Sequence, residues 1–180
     1  MGGMPDRFDL HTHSVYSDGT TRPGAIAAEA AALGLTGFAL TDHDTADGWE
    51  EARDVASGVG VEFLPGIEIT TKFGGRSRHL LGYGIERGAG ELFEALSDVR
   101  DSRWERAREM VRRISGDYAI DWDQVVGEED ARTVGRPHIA DALVEAVRNS
   151  SYWPHFSLPE ASVAGRYSSW KMRQISSLET

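Results

Sequence analysis

Residues 9–20 read DLHTHSVYSDGT, and this stretch predicts both the first strand of the fold and a group of candidate ligands. We expect a strand over residues 8–13 that leads into the turn SDGT. Because side chains two positions apart on a strand point to the same side, His11 and His13 project together from its carboxyl end. Two imidazoles on one face can chelate one metal ion, and an ordinary polar pair near a turn is the alternative. Asp18 is open to two interpretations as well, as a ligand or as a turn and helix-cap residue.

Further imidazole and carboxylate groups follow the next strands of the chain. The second strand ends in TDHD, so that His43 lies between Asp42 and Asp44. Such groups in succession are costly to pack unless a cation or hydrogen bonds compensate them. Glu68 interrupts the apolar run FLPGIEIT, where a ligand or an ion pair is favoured because carboxylates are rarely buried unpaired. His79 belongs to RHLLGYG, and the pattern fits a structural role as well as a catalytic one.

The first half of the chain alternates short apolar runs with helical patterns. This alternation predicts βα units around a largely parallel sheet, in which ligands gather at the carboxyl ends of the strands. The predicted strands cover residues 8–13, 37–41, 62–70 and 79–84, and the predicted helices cover residues 23–33 and 47–57.

The second half of the chain has a different pattern. A long helix is predicted over residues 92–114 and another over residues 137–147, with an acidic, turn-rich segment between them. Beyond Arg148 the sequence is rich in serine and shows neither a clean strand nor a convincing helix before its last dozen residues. The character of the chain therefore changes near residue 90 and again near residue 148.

The composition limits the class of protein and the kind of metal site. A chain of 180 residues with 40% apolar residues can bury the core of one globular domain. It has no apolar run long enough for a bilayer and no secretion signal, so we expect a cytoplasmic location and no membrane partner. Because cysteine is absent, any metal must be held by imidazole and carboxylate. The net charge of −10 argues against binding to long nucleic acids, but a metal-lined pocket can still take a small anionic substrate.

In order and spacing, the motifs DLHTHSVYSDGT, LTDHD, PGIEIT and RHLLGY resemble the metal-binding motifs of the PHP (polymerase and histidinol phosphatase) phosphoesterases. The most similar branch hydrolyses nucleoside 3',5'-bisphosphates and trims short RNA from its 5' end. The resemblance implies an α/β fold, a partial (β/α)7-type distorted barrel with a helical insert. The implied domains are the N-terminal part of the metal-binding barrel (residues 1–90), the helical insert (residues 91–148) and an atypical tail for which disorder is one option (residues 149–180).

The resemblance also implies a cluster of divalent ions, with manganese expected and zinc, iron or magnesium as alternatives. Such a cluster would hydrolyse phosphate esters through a metal-bridging hydroxide, with Glu68 and His43 as the catalytic residues. Asp9 and Asp42 are expected to accept hydrogen bonds that orient the imidazoles, and a strand-end hydrogen bond is the alternative for each. The implied ligands are His11, His13 and Glu68 for a first ion, Asp18 and His43 for a second, and His79 with a bridging Glu68 for a third.

Six arginines lie between Arg100 and Arg113, and they have two interpretations. They can form a solvated helix face with ion pairs to glutamates one turn away. Alternatively, some of them bind the substrate phosphate through two parallel hydrogen bonds, as related enzymes do. For the histidine of GRPHIA, a place in the first turn of a helix is the alternative. The residues expected to bind substrate are Arg103, Arg106, Arg136 and His138.

Two motifs of the family pattern are absent from this sequence, a late Ala-His-Pro strand end and a terminal Asp-x-His. The first hypothesis is therefore a metal-dependent phosphoesterase that acts on small nucleotides or short oligonucleotides. The second is a truncated or frame-shifted chain that acts as a non-catalytic metal-binding or interaction module. A third is an amidohydrolase-like enzyme, because clustered metal ions also promote attack on C–N bonds. The sequence leaves the oligomeric state open.

Overall fold

The computed structural model describes residues 6–126 and 134–149, and the tail from residue 150 onward lies outside the described residues. Within the described ranges, no helix combines the length and the apolar character needed to cross a bilayer. The elements in chain order are β1 (Phe8–Thr12), α1 (Pro23–Ala32), β2 (Gly37–Leu40), α2 (Trp49–Val59), β3 (Glu62–Phe73), β4 (Arg76–Tyr83), α3 (Gly90–Ile114), α4 (Trp122–Val126) and α5 (Arg136–Asn149).

Four strands form one mixed sheet in the order β1-β2-β3-β4. The first three strands are parallel, and helices α1 and α2 connect them, as the βα pattern predicts. β4 instead pairs with β3 in the antiparallel direction, which the expectation of a largely parallel sheet did not include. The reason is the connection, because only Gly74 and Gly75 link the two strands and a parallel crossover needs about a dozen residues or more. Both glycines have positive φ angles, 59° and 76°, which suit a two-residue hairpin turn.

The sheet curls, so that its two edge strands approach each other. The hydroxyl of Tyr83, the last residue of β4, donates a hydrogen bond of 2.8 Å to the backbone oxygen of Leu10 in β1. A curled sheet with helices is the architecture expected of a partial, distorted barrel. The α/β fold class predicted from the sequence is therefore confirmed.

Helices α1 and α2 and the sheet enclose the main core. Ala27 of α1 and Ala52 of α2 are fully buried, and side chains this small let the two helices approach closely. Trp49 opens α2 and is almost fully buried, and its indole N–H donates a hydrogen bond of 3.0 Å to the backbone oxygen of Gly66. This contact fixes the start of α2 against β3, two residues before Glu68.

The described residues divide into two compact units, the first ending at Arg103 and the second covering the described chain from Trp104 onward. The second unit contains α4, a short helix in the segment predicted to be turn-rich. The N–H of Gln124 donates to the Asp121 carboxylate, and the N–H of Asp121 donates to the Gln124 side chain, each at 2.9 Å. This reciprocal pair is a capping box, so the spacing D-x-x-Q was the signal for the helix. The domain limits at residues 90 and 148 stay predictions.

Candidate metal centre

Backbone pairing brings the candidate ligands of four strands to one region of the sheet. β2 ends at Leu40, but three residues later His43 forms an isolated parallel β-bridge with Glu68 of β3. His79 of β4 lies next to Glu68 because its partner across the sheet is Thr70, two positions further along β3. Paired residues of neighbouring strands point to the same side, and so do residues two apart on one strand. The antiparallel hairpin therefore adds His79 to the face that carries Glu68.

Glu68 is the centre of this group. One carboxylate oxygen, Oε2, lies 2.8 Å from Nε2 of His11, 2.9 Å from Nε2 of His13 and 3.9 Å from Nδ1 of His43. The other oxygen, Oε1, contacts Nδ1 of His79. Burial raises the pKa of the Glu68 carboxyl, but the hydrogen bond with His11 and the charge of His43 help to outweigh burial and hold the pKa below its ordinary value. The carboxylate is therefore kept charged among four imidazoles.

Asp18 contacts two of these imidazoles, those of His13 and His43. Its Oδ1 lies 3.2 Å from Nδ1 of His13, and its Oδ2 lies 3.5 Å from Nε2 of His43. Burial alone would raise the pKa of Asp18, but the contacts with His13 and His43 hold it far below its ordinary value. Burial lowers the pKa of His13, yet the hydrogen bond and charge of Asp18 and the charge of Glu68 raise it overall.

Three groups of donor residues in the described chain are each compact enough to hold a metal ion, with donor atoms within 4.8 Å of one another. The donor set fits a divalent ion, because imidazole nitrogen and carboxylate oxygen suit manganese, iron and zinc. The structure brings together all six predicted ligands, and it adds His13 to the group expected for the second ion and His43 to that for the third. The groups are His11, His13 and Glu68; His13, Asp18 and His43; and His43, Glu68 and His79.

The two carboxylates expected to orient imidazoles accept hydrogen bonds from backbone N–H groups and from serine hydroxyls. Asp9 accepts a hydrogen bond of 3.2 Å from the backbone N–H of His11, which is the strand-end alternative. Asp42 accepts hydrogen bonds from the backbone and hydroxyl of Ser14 and from the hydroxyl of Ser17. Ser17 in turn lies 3.2 Å from Nδ1 of His13. The two serines were not predicted from the sequence, although both lie in the stretch DLHTHSVYSDGT.

Asp44, which the sequence marked only as one of the charged groups flanking His43, is fully buried. Its Oδ1 accepts a hydrogen bond of 2.7 Å from the backbone N–H of Thr70, and its Oδ2 lies 3.0 Å from Nε of Arg103. Arg103 also donates to the Thr70 hydroxyl, and Arg100 donates to the backbone oxygen of Asp44 at 2.5 Å. Arg103, which the sequence suggested as a substrate residue, thus ties helix α3 to the strand that carries Glu68.

The other predicted substrate residues belong to the second unit. Nδ1 of His138 accepts a hydrogen bond of 3.1 Å from the backbone N–H of Gly135, which matches the alternative of a residue in the first helical turn. Glu109 pairs with Arg112 at 2.7 Å and with Arg113 at 2.8 Å, so part of the arginine run is the solvated face that was the alternative to phosphate binding. These two hydrogen bonds lower the pKa of Glu109 to about 2. The substrate role of Arg106, Arg136 and His138 stays a prediction.

Comparison with known proteins gives relatives over most of this chain. The 3',5'-nucleoside bisphosphate phosphatase of Chromobacterium violaceum is 35% identical over an alignment of 146 positions that covers 77% of this chain and 50% of the relative. The 5'-3' exoribonuclease of Haemophilus influenzae is 36% identical over an alignment of 145 positions that covers 79% of this chain and 52% of the relative. The crystal structure of a protein assigned as a metal-dependent phosphoesterase from Bifidobacterium adolescentis is also similar, with a TM-score of 0.76 and 40% sequence identity. The match covers 79% of this chain and 51% of the Bifidobacterium chain.

The curled α/β sheet and its nitrogen and oxygen donor groups define an α/β protein whose donor groups could hold metal ions, similar to the phosphoesterase structure from Bifidobacterium adolescentis. Residues 9–87 match the PHP domain. The chain belongs to the PHP family, as the resemblance of its motifs implied. The chain spans about half the length of the curated relatives it matches.

Proposed function

We propose that this chain carries the metal centre of a phosphoesterase that hydrolyses phosphate esters of small nucleotides or short oligonucleotides. The observation that carries the proposal is the convergence of six donor residues into three groups that share members. The two relatives described above, a nucleoside bisphosphate phosphatase and an exoribonuclease, support the substrate class. Manganese is the expected ion, and zinc, iron or magnesium are the alternatives that the same donors accept.

Divalent ions held by these residues would supply Lewis-acid activation of the phosphate ester and of water. The chain itself supplies the positions of the donors. Glu68 and His43, which we propose as the catalytic residues, are 6% and 7% exposed, so the surrounding protein fixes their side chains. Glu68 also gathers imidazoles from three other segments around one carboxylate, which places the donor groups side by side.

The substrate phosphate needs cationic or hydrogen-bonding partners beyond the metal centre. Guanidinium groups suit this role because they can offer two parallel hydrogen bonds to a phosphate. Arg103 already contacts Asp44 and Thr70, so a phosphate contact would add to these contacts. The residues proposed to bind substrate are Arg103, Arg106, Arg136 and His138.

A non-catalytic metal-binding module is the second candidate function. The observation in its favour is the same set of donor groups, which could hold metal without turnover. Metal content and phosphate release, measured on the same preparation, separate the two functions.

The test uses the 180-residue chain, stripped with a chelator and reloaded with Mn²⁺. Elemental analysis gives the bound metal, and release of inorganic phosphate from adenosine 3',5'-bisphosphate gives the activity. We expect Glu68→Gln to lower both the Mn²⁺ affinity and the phosphate release by at least about 100-fold. The reason is that even residues that only orient a ligand typically contribute about 10–100-fold.

Glu62→Gln is the matched control, because Glu62 is an exposed glutamate at the start of the same strand, outside the donor groups. It should bind Mn²⁺ and release phosphate as the unchanged chain does. Bound metal without phosphate release would favour the non-catalytic module. Failure to bind Mn²⁺, Zn²⁺ or Mg²⁺ at all would refute the proposed metal centre.

A further inference from the structure

A buried cluster of two serines and Asp42 lies beside His13, and the two serines have no part in the function proposed so far. Ser14, Ser17 and Asp42 are at most 1% exposed. Asp42 Oδ1 accepts from the backbone N–H of Ser14 at 2.7 Å and from the Ser17 hydroxyl at 2.6 Å, and Oδ2 accepts from the Ser14 hydroxyl at 2.6 Å. Because every contact is shorter than 3 Å and shielded from solvent, the positions of both hydroxyls are well determined.

The loop between His13 and Gly19 returns Ser17 to the imidazole. The N–H groups of Ser17 and Gly19 both donate to the backbone oxygen of Ser14, at 3.0 and 3.1 Å. A Cβ atom at Gly19 would come within 2.3 Å of the backbone oxygen of His13, so only glycine allows this close return of the chain. The Ser17 hydroxyl is thereby held 3.2 Å from Nδ1 of His13.

The direction of these hydrogen bonds fixes the hydrogen on His13. A hydroxyl has one hydrogen, and Ser17 gives it to the Asp42 carboxylate, which can only accept. Towards His13, Ser17 can therefore only accept, and the second neighbour of Nδ1, the Asp18 carboxylate at 3.2 Å, is an acceptor too. We propose that Asp42, acting through Ser17, keeps a hydrogen on Nδ1 of His13 and so leaves Nε2 as the nitrogen that binds metal. This assigns His13 to the ion held with His11 and Glu68, and leaves the second ion to Asp18 and His43.

The opposite side of the ring fits this assignment. Nε2 of His13 faces Oε2 of Glu68 at 2.9 Å, and His11 Nε2 faces the same oxygen at 2.8 Å. A cation placed among these three atoms would take the lone pair of His13 Nε2 while Nδ1 keeps its hydrogen. Ser17 and Asp42 are thus positioning residues that act through His13. The inference rests on the proposed function only in requiring that His13 is a metal ligand.

The first test is the ¹⁵N spectrum of the histidine rings in the chain loaded with Zn²⁺, which is diamagnetic. We expect Nδ1 of His13 to be pyrrole-like, with a bound hydrogen, and Nε2 to be the metal-bound nitrogen. A pyrrole-like Nε2 with metal on Nδ1 would overturn the proposal. This measurement needs no variant and no activity, so it distinguishes a failed assignment from a failed phosphatase.

The second test compares Ser17→Ala with Ser14→Ala, since both lose a buried hydroxyl bond to Asp42 but only Ser17 contacts His13. We expect Ser17→Ala to weaken Zn²⁺ and Mn²⁺ binding by about 10–100-fold, as is typical when the partner of a ligating histidine is lost. Ser14→Ala should bind both ions within about threefold of the unchanged chain. Equal weakening of metal binding in the two variants would show that the serines are merely structural. Unchanged affinity in Ser17→Ala would show that Asp18 alone keeps the hydrogen on Nδ1 of His13. Either result overturns the proposal.

Discussion

Asp44 shows how much a single residue contributes to this site. Among the described residues it is the one non-glycine with a positive φ angle, 57°, a conformation that costs L residues free energy. Four contacts offset this cost, because its side chain meets Thr70 and Arg103 and its backbone meets Arg100 and Glu68. The strained residue therefore holds helix α3 beside the strand that carries Glu68.

We expect Asp44→Ala to destabilise the chain by about 3–5 kcal/mol, because removing one partner of a buried ion pair leaves the other partner without its counter-charge. Asp44→Asn should cost less, since its amide oxygen can still accept from Thr70. Urea unfolding of the variants measures both effects. Asp54→Ala, at an exposed position of α2, is the control and should stay within about 0.5 kcal/mol. A loss below about 1 kcal/mol for Asp44→Ala would contradict this account.

The contact of His13 with Asp18 gives the metal-free protein a defined pH dependence. The raised pKa of His13 contributes stability that is complete below the ordinary value of 6.5 and is lost as the pH rises through the raised pKa. The lowered pKa of Asp18 contributes stability that is complete above 3.8 and is lost as the pH falls through the lowered pKa. Metal binding requires the neutral imidazole, so protons and metal compete for His13.

We therefore expect the rise in melting temperature on adding Mn²⁺ to be larger at pH 8 than at pH 6. Thermal unfolding with and without Mn²⁺ at the two pH values measures this difference. A His13→Ala variant should lose most of the rise at both values. A rise that is equal at the two pH values, or larger at pH 6, would show that protons on this cluster do not compete with the metal.

At the scale of elements, local sequence signals determined more of the fold than of the site. The βα alternation predicted three parallel strands and their helices within a few residues. Two further local signals lie in the sequence, namely the consecutive glycines that reverse the chain between β3 and β4 and the D-x-x-Q capping box of α4. By contrast, the contact of Asp44 with Arg103 joins segments 59 positions apart in the numbering, and no local pattern predicts such a pair.

The packing of helix α2 against strand β3 can be tested at Trp49. This residue joins the start of α2 to β3 through the hydrogen bond to Gly66 and through nearly complete burial. We expect Trp49→Ala to lower the free energy of unfolding by about 3–5 kcal/mol because it leaves a large cavity. Trp49→Phe keeps an aromatic ring and loses the indole hydrogen bond, so about 1–3 kcal/mol is expected. Denaturant unfolding decides this, and equal losses in the two variants would assign the whole effect to the hydrogen bond.

At the scale of the whole molecule, the sequence predicted which residues meet but not how each ion would complete its coordination. Each of the three groups offers three donor residues, whereas zinc takes four ligands and manganese usually about six. Water or substrate can fill such positions. The Ala-His-Pro and Asp-x-His motifs that the family resemblance implies for them are absent from this sequence. The cytoplasmic location expected from the sequence stays a prediction.

The edge strand β1 supplies the prediction for the whole molecule. Within the described part of the chain β1 pairs with β2 alone, and its apolar residues Phe8 and Leu10 are 45% and 43% exposed. An exposed apolar edge strand offers unpaired backbone groups to another chain, and a lysine there usually prevents such pairing. We expect the 180-residue chain to self-associate as its concentration rises and Leu10→Lys to reduce this association at least about fivefold in sedimentation experiments. Leu33→Lys, which changes an exposed leucine next to α1, is the control and should leave the self-association unchanged. If Leu10→Lys associates as strongly as Leu33→Lys, the contact between copies does not use β1.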